Sequence, residues 1–323
     1  MAPDITVVVP YFNEQETIRF TLRRIAEQTL SAREAIFVNS SSTDGTSEIV
    51  DAWIAENQSQ YRTRFLNVFA HSSTPSSSKN AGVRLATTEW LAFMDCGQNF
   101  QPDWLERQYA FSQERTLDVV SGVVYATGTN WVDRCAVAQT YGYRRKRPCL
   151  PSTLLRRRIF DDIGMFPEGR RAGYDAAWLL RLKKSGIERG INADAVIEYI
   201  GVNFSSTLRH LYLKSALYAK PSVGLQGYYT PYAYAALPFV LLGLLWLAPL
   251  AALPLGASYV AARSLAIPIL KSRGLALFRE SPLVAWPGLG LVGLVLDCGR
   301  LAGTWQGILS RHAYTSRKAN IAG

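Results

Sequence analysis

The feature that most constrains this chain is a stretch without a single charged side chain, which covers residues 221–262. Residues 232–255 within it would form a helix about 36 Å long at about 1.5 Å per residue. That length is enough to cross a hydrocarbon core of about 30 Å. The preceding residues have a mixed composition, so the sequence predicts a globular domain over residues 1–220 and a membrane region over residues 221–323.

The apolar character continues to Leu270 and is interrupted only by Arg263. We therefore expect a helical hairpin, with Pro249 and Pro254 marking its turn. The segment that follows is basic, with Lys271, Arg273 and Arg279. Because basic loops prefer the cytoplasmic side of a membrane, this loop and the globular domain are predicted to share that side.

Residues 282–296 are also apolar, but Asp297 and Arg300 interrupt their continuation to residue 309. Two interpretations stay open, a third crossing and an interfacial helix. The tail adds Arg311, Arg317 and Lys318, which favour the same side. The prediction is a multi-pass protein of the cell (inner) membrane with a cytoplasmic globular domain. The alternative, a buried pair of core helices, is disfavoured by the length of the charge-free stretch.

Charge and cysteine content limit the kinds of molecule that the chain is expected to bind. The chain carries a net charge of +10, and basic side chains cluster without an intervening acid at Arg144, Arg145, Lys146, Arg147, Arg156, Arg157 and Arg158. We interpret this cluster as a surface for anionic lipid head groups or a phosphorylated substrate. Nucleic acid is not a predicted partner, because no recognition helix, zinc-ligand spacing or RNA-binding aromatic pattern is present. The four cysteines lack metal or redox spacing, so reduced thiols are expected, and no secretory signal pattern opens the sequence.

Strands and helices alternate through the first part of the chain. Continuous apolar runs predict buried strands over residues 5–9, 34–38, 65–70 and 89–94. Between them, Ile18, Leu22 and Ile25 share one helical face, a capped helix is predicted over residues 46–57, and a third helix begins near Ser76. This alternation predicts an α/β fold, with a mostly parallel sheet flanked by helices.

The rest of the globular domain is less regular. We predict a helix from about residue 102, a strand over residues 118–125, and a helix–loop–helix over the basic residues 141–158 at the rim of the sheet. Residues 160–173 are expected to form a loop, because glycine and proline recur in them. An amphipathic helix follows, with Asp175 in its first turn.

Residues 76–97 carry the first indication of function. A helix that begins with small hydroxyl residues and Lys79 precedes a buried strand that ends at Asp95. Open α/β sheets bind ligands at the carboxyl ends of their strands. A cation and free N–H groups at a helix start suit a phosphate group. The alternative, a surface helix beside a core strand without a ligand, stays open on this stretch alone.

Five segments match known motifs in the same order along the chain. Residues 8–14 (VVPYFNE) are similar to Val-x-Pro-x-x-Asn-Glu, and residues 39–46 (NSSSTDGT) stand in the place of Asp-Asp-Gly-Ser-Thr-Asp-Gly-Thr. Residues 79–82 (KNAG) correspond to Arg-Asn-x-Gly, residues 95–97 (DCG) to the Asp-x-Asp metal motif, and residues 174–181 (YDAAWLLR) to Glu-Asp-x-x-Leu-x-x-Arg. Together these segments resemble the family 2 glycosyltransferases, which have a GT-A nucleotide-sugar-binding fold, here with C-terminal membrane helices. The resemblance covers about residues 5–200.

The resemblance implies a set of site residues. Those that bind the nucleotide sugar are Pro10, Tyr11, Glu14, Asn39, Ser41, Lys79 and Asp95, with Lys79 and Asp95 beside the diphosphate. Asp175 is implied as the catalytic base, which takes the proton of the acceptor hydroxyl during an inverting attack. Asp95 is implied as a ligand of a divalent cation, Mg²⁺ or Mn²⁺, that stabilises the leaving diphosphate. Acceptor or phosphate contacts are assigned to Arg156, Arg171, Trp178 and Arg181.

Three positions depart from the family pattern. Gly97 replaces the second carboxylate of the metal motif, so the dependence on a divalent cation is left open. Asn39 offers both a donor and an acceptor where the family has a carboxylate, which leaves the base preference open. Tyr174 replaces a glutamate and removes one charge beside Asp175.

The predicted function is a membrane-anchored inverting glycosyltransferase, which moves a sugar from a nucleoside-diphosphate donor to a lipid-linked (polyprenyl) or polysaccharide acceptor. The alternative is a non-catalytic binding or scaffold protein of a polysaccharide-assembly complex that keeps the fold. A processive synthase is disfavoured, because the Gln-x-x-Arg-Trp element of such enzymes is absent.

Overall fold

The structure is a computed structural model that describes residues 4–70, 74–199, 207–224, 229–272, 276–280 and 282–321. By its internal contacts the chain divides into two compact units. Unit 1 comprises Met1–Tyr125 and Lys146–Ile200, and unit 2 comprises Ala126–Arg145 and Gly201–Gly323. The predicted boundary at residue 220 stays a prediction. Arg273 and the side chains of Arg311, Arg317 and Lys318 lie outside the described residues.

Strands and helices follow one another along the whole chain. The strands are β1 Ile5–Tyr11, β2 Glu34–Asn39, β3 Arg64–Phe69, β4 Trp90–Phe93, β5 Gln98–Phe100, β6 Val119–Ala126, β7 Lys146–Arg156 and β8 Arg189–Tyr199. The helices are α1 Ile18–Ala26, α2 Thr46–Asn57, α3 Pro75–Leu85, α4 Trp104–Arg115, α5 Trp131–Gln139, α6 Ile159–Ile163, α7 Tyr174–Lys184, α8 Leu208–Ala219, α9 Thr230–Leu247, α10 Ala252–Ala261, α11 Ile267–Lys271, α12 Ala276–Glu280 and α13 Pro282–Ile321.

The eight strands found in the described residues form one sheet in the order β3-β2-β1-β4-β7-β6-β8-β5. β1 pairs parallel with β2 and β4, and β2 pairs parallel with β3. β7 is antiparallel to β4 and β6, and β5 is antiparallel to β8. The predicted α/β fold is therefore confirmed as a mixed sheet, with parallel pairing among the first four strands of the order.

The parallel strands are buried on both faces, as their continuous apolar sequence predicts. Alternate residues of a strand point to opposite faces. Val7 and Val9 accordingly pack into one core together with α1, whereas Val8 packs into a second core together with α3 and α7. Gly82 lets α3 lie close to β1, since a Cβ at this position would be 2.3 Å from Cγ1 of Val8.

The prediction of a helix–loop–helix over the basic residues 141–158 is wrong. Residues Lys146–Arg156 form β7, an interior strand between β4 and β6. Leu154 and Leu155 are fully buried there. Pro148 and Pro151 disfavour a helix, because each lacks a backbone donor. Within this strand Lys146 and Arg147 lie at one end and Arg156 at the other, so these three basic side chains do not form one surface.

Among the described residues of unit 2, two stretches are long and apolar enough to cross a membrane, judged by length and composition. They are Thr230–Leu247 and Pro249–Lys271, and 11% of an apolar 18-residue window in each is buried. The predicted continuous helix over residues 232–255 is not observed, because the chain breaks at Ala248 and a 3₁₀ turn at Pro249–Ala251, which contains the first of the two prolines assigned to the hairpin turn. Trp246 and Leu250 on either side of the break are 85% and 84% exposed.

The three charges that interrupt the apolar segments, Arg263, Asp297 and Arg300, are paired inside unit 2, with both arginines contacting the carboxylate of Asp297. Nε of Arg263 donates to Asp297 over 2.7 Å, and the hydroxyl of Tyr234 donates to the same carboxylate over 2.8 Å. A second guanidinium nitrogen of Arg263 donates to Oε1 of Gln139 over 3.2 Å. Charged groups among apolar helices are typically paired in this way. The choice between a third crossing and an interfacial helix for α13 stays open.

α13 packs against α8 through a row of glycines that the sequence analysis did not use. Added Cβ atoms at Gly299, Gly303 and Gly307 would lie 2.5, 2.1 and 2.5 Å from backbone oxygens of residues 212, 216 and 220. Small residues at four-residue spacing let two helix backbones approach closely. This glycine row (Gly299, Gly303, Gly307) therefore sets the distance between α8 and α13.

Candidate active site

The loops that follow β1, β2 and β4 lie at one edge of the sheet in unit 1, because these three strands are parallel. Pro10 is paired with Val38, and Tyr11 with Asn39. The segments that the sequence singled out, residues 10–14, 39–46 and 95–97, are therefore neighbours at the carboxyl edge. This is where open α/β sheets bind ligands.

The first two of these loops are joined by side-chain hydrogen bonds. The backbone N–H of Asn13 donates to Oγ of Ser42 over 3.1 Å, and the N–H of Thr43 donates to Oδ1 of Asn13 over 2.9 Å. The N–H of Glu14 donates to the hydroxyl of Thr46 over 3.0 Å. Asn13 and Ser41 have positive φ values of 54° and 66°, which this closed arrangement maintains.

Tyr11 contributes to the core rather than to an open surface. The residue is 2% exposed, and its hydroxyl donates to Oδ1 of Asn67 over 2.7 Å and lies 3.3 Å from Oγ of Ser47. Burial raises the pKa of Tyr11 to about 12. Pro10 and Glu14 beside it are half-buried.

The two polar atoms of the buried Asn39 side chain differ in their contacts. Its Oδ1 accepts the backbone N–H of Ser42 over 2.8 Å, and the residue is 1% exposed. Among the residues that the structure describes, nothing accepts a hydrogen bond from Nδ2 of Asn39. Buried donors are nearly always satisfied, so this amide requires an explanation.

Lys79 and Asp95 form an ion pair at the same edge. Nζ of Lys79 is 2.7 Å from Oδ1 of Asp95, with the lysine side chain 1% exposed and the aspartate 30%. The ammonium also lies 5.5 Å from the ring centroid of Phe93. The sequence predicted that Lys79 lies beside a diphosphate, but its charge is directed to Asp95. Asp95 is the member of the pair that reaches solvent.

The first two turns of α3 also hold the segment that leads to Asp175. Oγ of Ser76 donates to the carbonyl of Arg170 over 2.9 Å and accepts its N–H over 3.0 Å. Asn80 exchanges two hydrogen bonds with the backbone of Phe166, of 2.9 and 3.0 Å. α7 begins four residues after Arg170, and Asp175 lies half-buried in its first turn. α3 therefore contacts Asp95 and the segment before Asp175 at one edge.

Of the four residues assigned to the acceptor, the structure brings one to this edge. The guanidinium of Arg171 lies 5.4 Å from the ring centroid of Phe12, which directly follows β1. Phe12 was not predicted as a site residue. Its signal is an exposed aromatic ring, 39% accessible, inside the Val-x-Pro-x-x-Asn-Glu motif.

Trp178 and Arg181 hold the segment before α7 through hydrogen bonds to its backbone. Trp178 is fully buried, and its Nε1 donates to the carbonyl of Gly164 over 2.9 Å. Arg181 donates to the carbonyl of Ile163 over 3.0 Å. Both side chains are committed to backbone oxygens, so their arrangement positions the loop.

Arg156 lies at the opposite edge of the sheet. It is paired with Trp90 at the amino end of β4, whereas Asp95 follows the carboxyl end of that strand. Its guanidinium lies 4.6 Å from the Trp90 ring centroid and contacts Glu89 and Asp118. The structure therefore does not bring Arg156 together with the other candidate residues.

The residues at the metal motif do not fit a divalent cation held by the protein. Mg²⁺ is usually held by one or two carboxylates together with substrate phosphates. Here the one carboxylate, Asp95, already balances an ammonium group, and Gly97 has no side chain. Burial holds the pKa of Cys96 well above its usual value, so its thiol stays protonated. Within the described ranges, no three His, Cys, Asp or Glu side chains are grouped for a metal.

Comparison with known proteins establishes the class. Residues 6–176 match the sequence profile described as Glycosyl transferase family 2. Because this match covers more than half of the chain, the chain belongs to glycosyltransferase family 2.

The individual relatives share limited sequence identity with this chain, over part of its length. The chain is 25% identical over 198 residues to glycosyltransferase AglE of Haloferax volcanii, a match that covers 57% of this chain and 62% of that protein. It is 30% identical over 125 residues to glycosyltransferase GlyG of Streptococcus pneumoniae, covering 39% and 40%. The matched part is thus less than two thirds of the length of either of these relatives.

The fold also has a counterpart among solved structures. A mannosyltransferase from Pyrobaculum calidifontis, solved in complex with GDP-Man and Mn²⁺, superposes with a TM-score of 0.56. The sequence identity is 19%, and the match covers 95% of this chain and 88% of that one. At this identity the likeness concerns the fold alone, and it confirms the GT-A-like architecture.

Proposed function

We propose that this chain is a membrane-anchored, inverting glycosyltransferase, which transfers a sugar from a nucleoside-diphosphate donor to a lipid-linked (polyprenyl) or polysaccharide acceptor. The observation that carries the proposal is the arrangement around α3. The start of α3 contacts Asp95, the segment before Asp175, and Ser40, which directly follows Asn39. The family membership supplies the class of reaction.

In the proposed mechanism Asp175 is the base. An acceptor oxygen attacks the anomeric carbon, its proton passes to the Asp175 carboxylate, and the bond from the anomeric carbon to the phosphate oxygen breaks. The nucleoside diphosphate leaves with the electron pair of that bond, and the configuration at the anomeric carbon inverts. A carboxylate positioned for this proton transfer contributes about 10²–10⁴-fold to the rate.

Asp95 and Lys79 have a different role in the proposal. Because Lys79 neutralises Asp95, the carboxylate adds little repulsion toward an incoming diphosphate. The solved mannosyltransferase holds Mn²⁺ together with its donor. In this chain the donor set does not fit such an ion, so the proposal assigns no step to it.

Donor binding is therefore expected to be the same in EDTA and in Mn²⁺, as measured by titration calorimetry with nucleoside diphosphates. Gly97→Asp restores the second carboxylate, and Mn²⁺ is expected to raise its affinity about tenfold or more. Space allows the change, since a Cβ at Gly97 would lie 3.7 Å from Thr17, and aspartate tolerates a φ of 73°.

The matched control for this metal test is Gly186→Asp, at a φ of 76° with nothing within 4 Å of the added Cβ. It adds the same charge away from the metal motif and is expected to leave binding insensitive to Mn²⁺. A wild-type protein that binds nucleoside diphosphates only with Mn²⁺ would contradict this assignment.

Membrane anchoring through Thr230–Leu247 and Pro249–Lys271 is supported by their length and by their exposed apolar side chains. The full chain is expected to stay in the membrane fraction at alkaline pH and to be released by detergent. Release by alkali alone would show that the chain is peripheral.

The proposed activity is tested with the full chain in detergent, a panel of nucleoside-diphosphate sugars, and polyprenyl-phosphate and glycan acceptors. Product mass and anomeric configuration are measured. Transfer with inversion is expected. Donor binding without transfer or hydrolysis would instead favour the binding or scaffold alternative, for which the altered metal motif is the specific observation.

A further inference from the structure

The charges that interrupt the apolar segments of unit 2 do not balance. Arg263 and Arg300 both contact the carboxylate of Asp297, so two cations share one anion. The sequence of unit 2 contains two further acids, Asp133 and Glu280. The first is bonded to the hydroxyl of residue 129 and the second to residues 143 and 144, so neither compensates the cluster. An uncompensated charge among apolar helices is costly.

Arg263 is committed to the interior of unit 2. Its Nε donates to Asp297 over 2.7 Å, and its Nη1 donates to Oε1 of Gln139 over 3.2 Å. The backbone forms a π-helical turn at Ala262–Ala266, and the carbonyl of Arg263 in this turn accepts Nε2 of Gln139 over 2.5 Å. Because these contacts fix Arg263 against Asp297, the excess positive charge belongs to Arg300.

Arg300 has one edge of its guanidinium available. Its Nη1 donates to Oδ1 of Asp297 over 3.1 Å and to the hydroxyl of Tyr234 over 3.4 Å. Nε and Nη2 make no hydrogen bond with the residues that the structure describes. These two nitrogens form one edge of the planar group, which matches two oxygens of a phosphate. The side chain is 28% exposed, against 9% for Arg263, so a ligand can reach it.

Arg300 lies at the level where the first apolar helix begins. Its partner Tyr234 is the fifth residue of α9, which places it about 6 Å from the start of that helix. Tyr229 and Tyr232 at this start are exposed, and large exposed apolar side chains follow from Phe239 onward. Tyrosines concentrate at the level of the lipid head groups. With α9 crossing a membrane as proposed, Arg300 is therefore at head-group depth.

We infer that Arg300 binds the phosphate group of a membrane phospholipid through Nε and Nη2, while Asp297 and Tyr234 fix the orientation of the guanidinium. The bound phosphate supplies the negative charge that the cluster lacks. The inference rests on the membrane anchoring in the proposed function, and it concerns a residue of α13 that has no part in the proposed transfer.

Binding is measured on the full chain, purified in dodecyl maltoside without added phospholipid. Three probes are compared: dioctanoyl-phosphatidylglycerol, dioctanoylglycerol, which lacks the phosphate, and inorganic phosphate, which lacks the acyl chains. Native mass spectrometry gives the affinity, and thermal unfolding gives the shift of the midpoint. Phosphatidylglycerol is expected to bind about tenfold or more tightly than either of the other probes and to raise the midpoint.

Three variants locate the site. Arg300→Gln should lower the affinity for phosphatidylglycerol about tenfold or more, and Arg300→Lys, which keeps the charge but loses the two-nitrogen edge, should fall between it and the wild type. The matched control Arg279→Gln removes an exposed charge from α12 of the same unit and should stay within about twofold of the wild type. Asp297 keeps Arg263 in every variant, and the midpoint without lipid verifies folding.

Equal affinities of the wild type and Arg300→Gln, or of phosphatidylglycerol and dioctanoylglycerol, would overturn the inference. So would inorganic phosphate that raises the midpoint as much as phosphatidylglycerol, because the site would then take free phosphate. A preference of about tenfold or more for farnesyl phosphate would assign the site to a lipid-linked acceptor instead. These results leave the proposed transferase and its anchoring intact, whereas release of the chain from membranes by alkali would overturn the anchoring and the inference together.

Discussion

Asp175→Asn is expected to lower kcat for sugar transfer by about 10²–10⁴-fold, because the amide cannot take the proton of the acceptor hydroxyl. Asp175 lies in the first turn of α7, which begins after Gly173 at a φ of 74°. The substitution keeps the shape of the side chain, so the position of α7 and the contacts of the preceding segment with α3 should persist. Donor affinity, measured by calorimetry, should therefore remain close to that of the wild type.

The matched control for this catalytic test is Asp162→Asn, an exposed acid on the short helix α6 of the same unit. It removes one negative charge without touching the carboxyl edge, and its kcat should equal that of the wild type. If kcat for Asp175→Asn is within about threefold of the control, the decrease is too small to reflect loss of a general base. The proton would then have another acceptor, and the proposed mechanism would be incorrect.

The parallel half of the fold was accessible from the sequence because its strands are buried on both faces. A strand such as Ile5–Tyr11 has apolar side chains on both faces, so its run is continuous and distinct from a helix. β7 was missed because its basic ends dominate the composition, while its buried centre is short. β5 and β8 were not predicted, since β5 has three residues and polar residues recur along β8.

The candidate site also has features that the sequence predicted and features that it did not. Motif order located the loops at the carboxyl edge, because loops after parallel strands necessarily meet there. It did not indicate which side chains are buried: Lys79 faces Asp95 and Trp178 is in the core. Nor did it separate Arg156 from the site, since only the pairing of β4 with β7 reveals that this residue is at the other edge. These outcomes depend on contacts between residues far apart in sequence.

The largest expected effect on stability is at the centre of the glycine row. Gly303→Leu should destabilise unit 2, since even its Cβ would lie 2.1 Å from the carbonyl oxygen of Ala216. Overpacking commonly lowers the free energy of unfolding by about 1–3 kcal/mol. Here the clash is with a backbone atom, which cannot move aside by a change of side-chain rotamer. We expect the midpoint of thermal unfolding of the full chain in detergent to fall by about 5–10 °C.

Gly303→Ala and Gly243→Ala form a matched pair that separates packing from helix propensity. Both add one methyl group to a helix, and alanine favours a helix over glycine by about 0.8–1.0 kcal/mol. A Cβ at Gly243 on α9 meets nothing within 4 Å, so that variant should be as stable as the wild type or more stable. Gly303→Ala should be less stable, because the separation of α8 and α13 must increase to admit the methyl group. Equal unfolding midpoints for the two variants would show that α8 and α13 do not depend on glycine for their close approach.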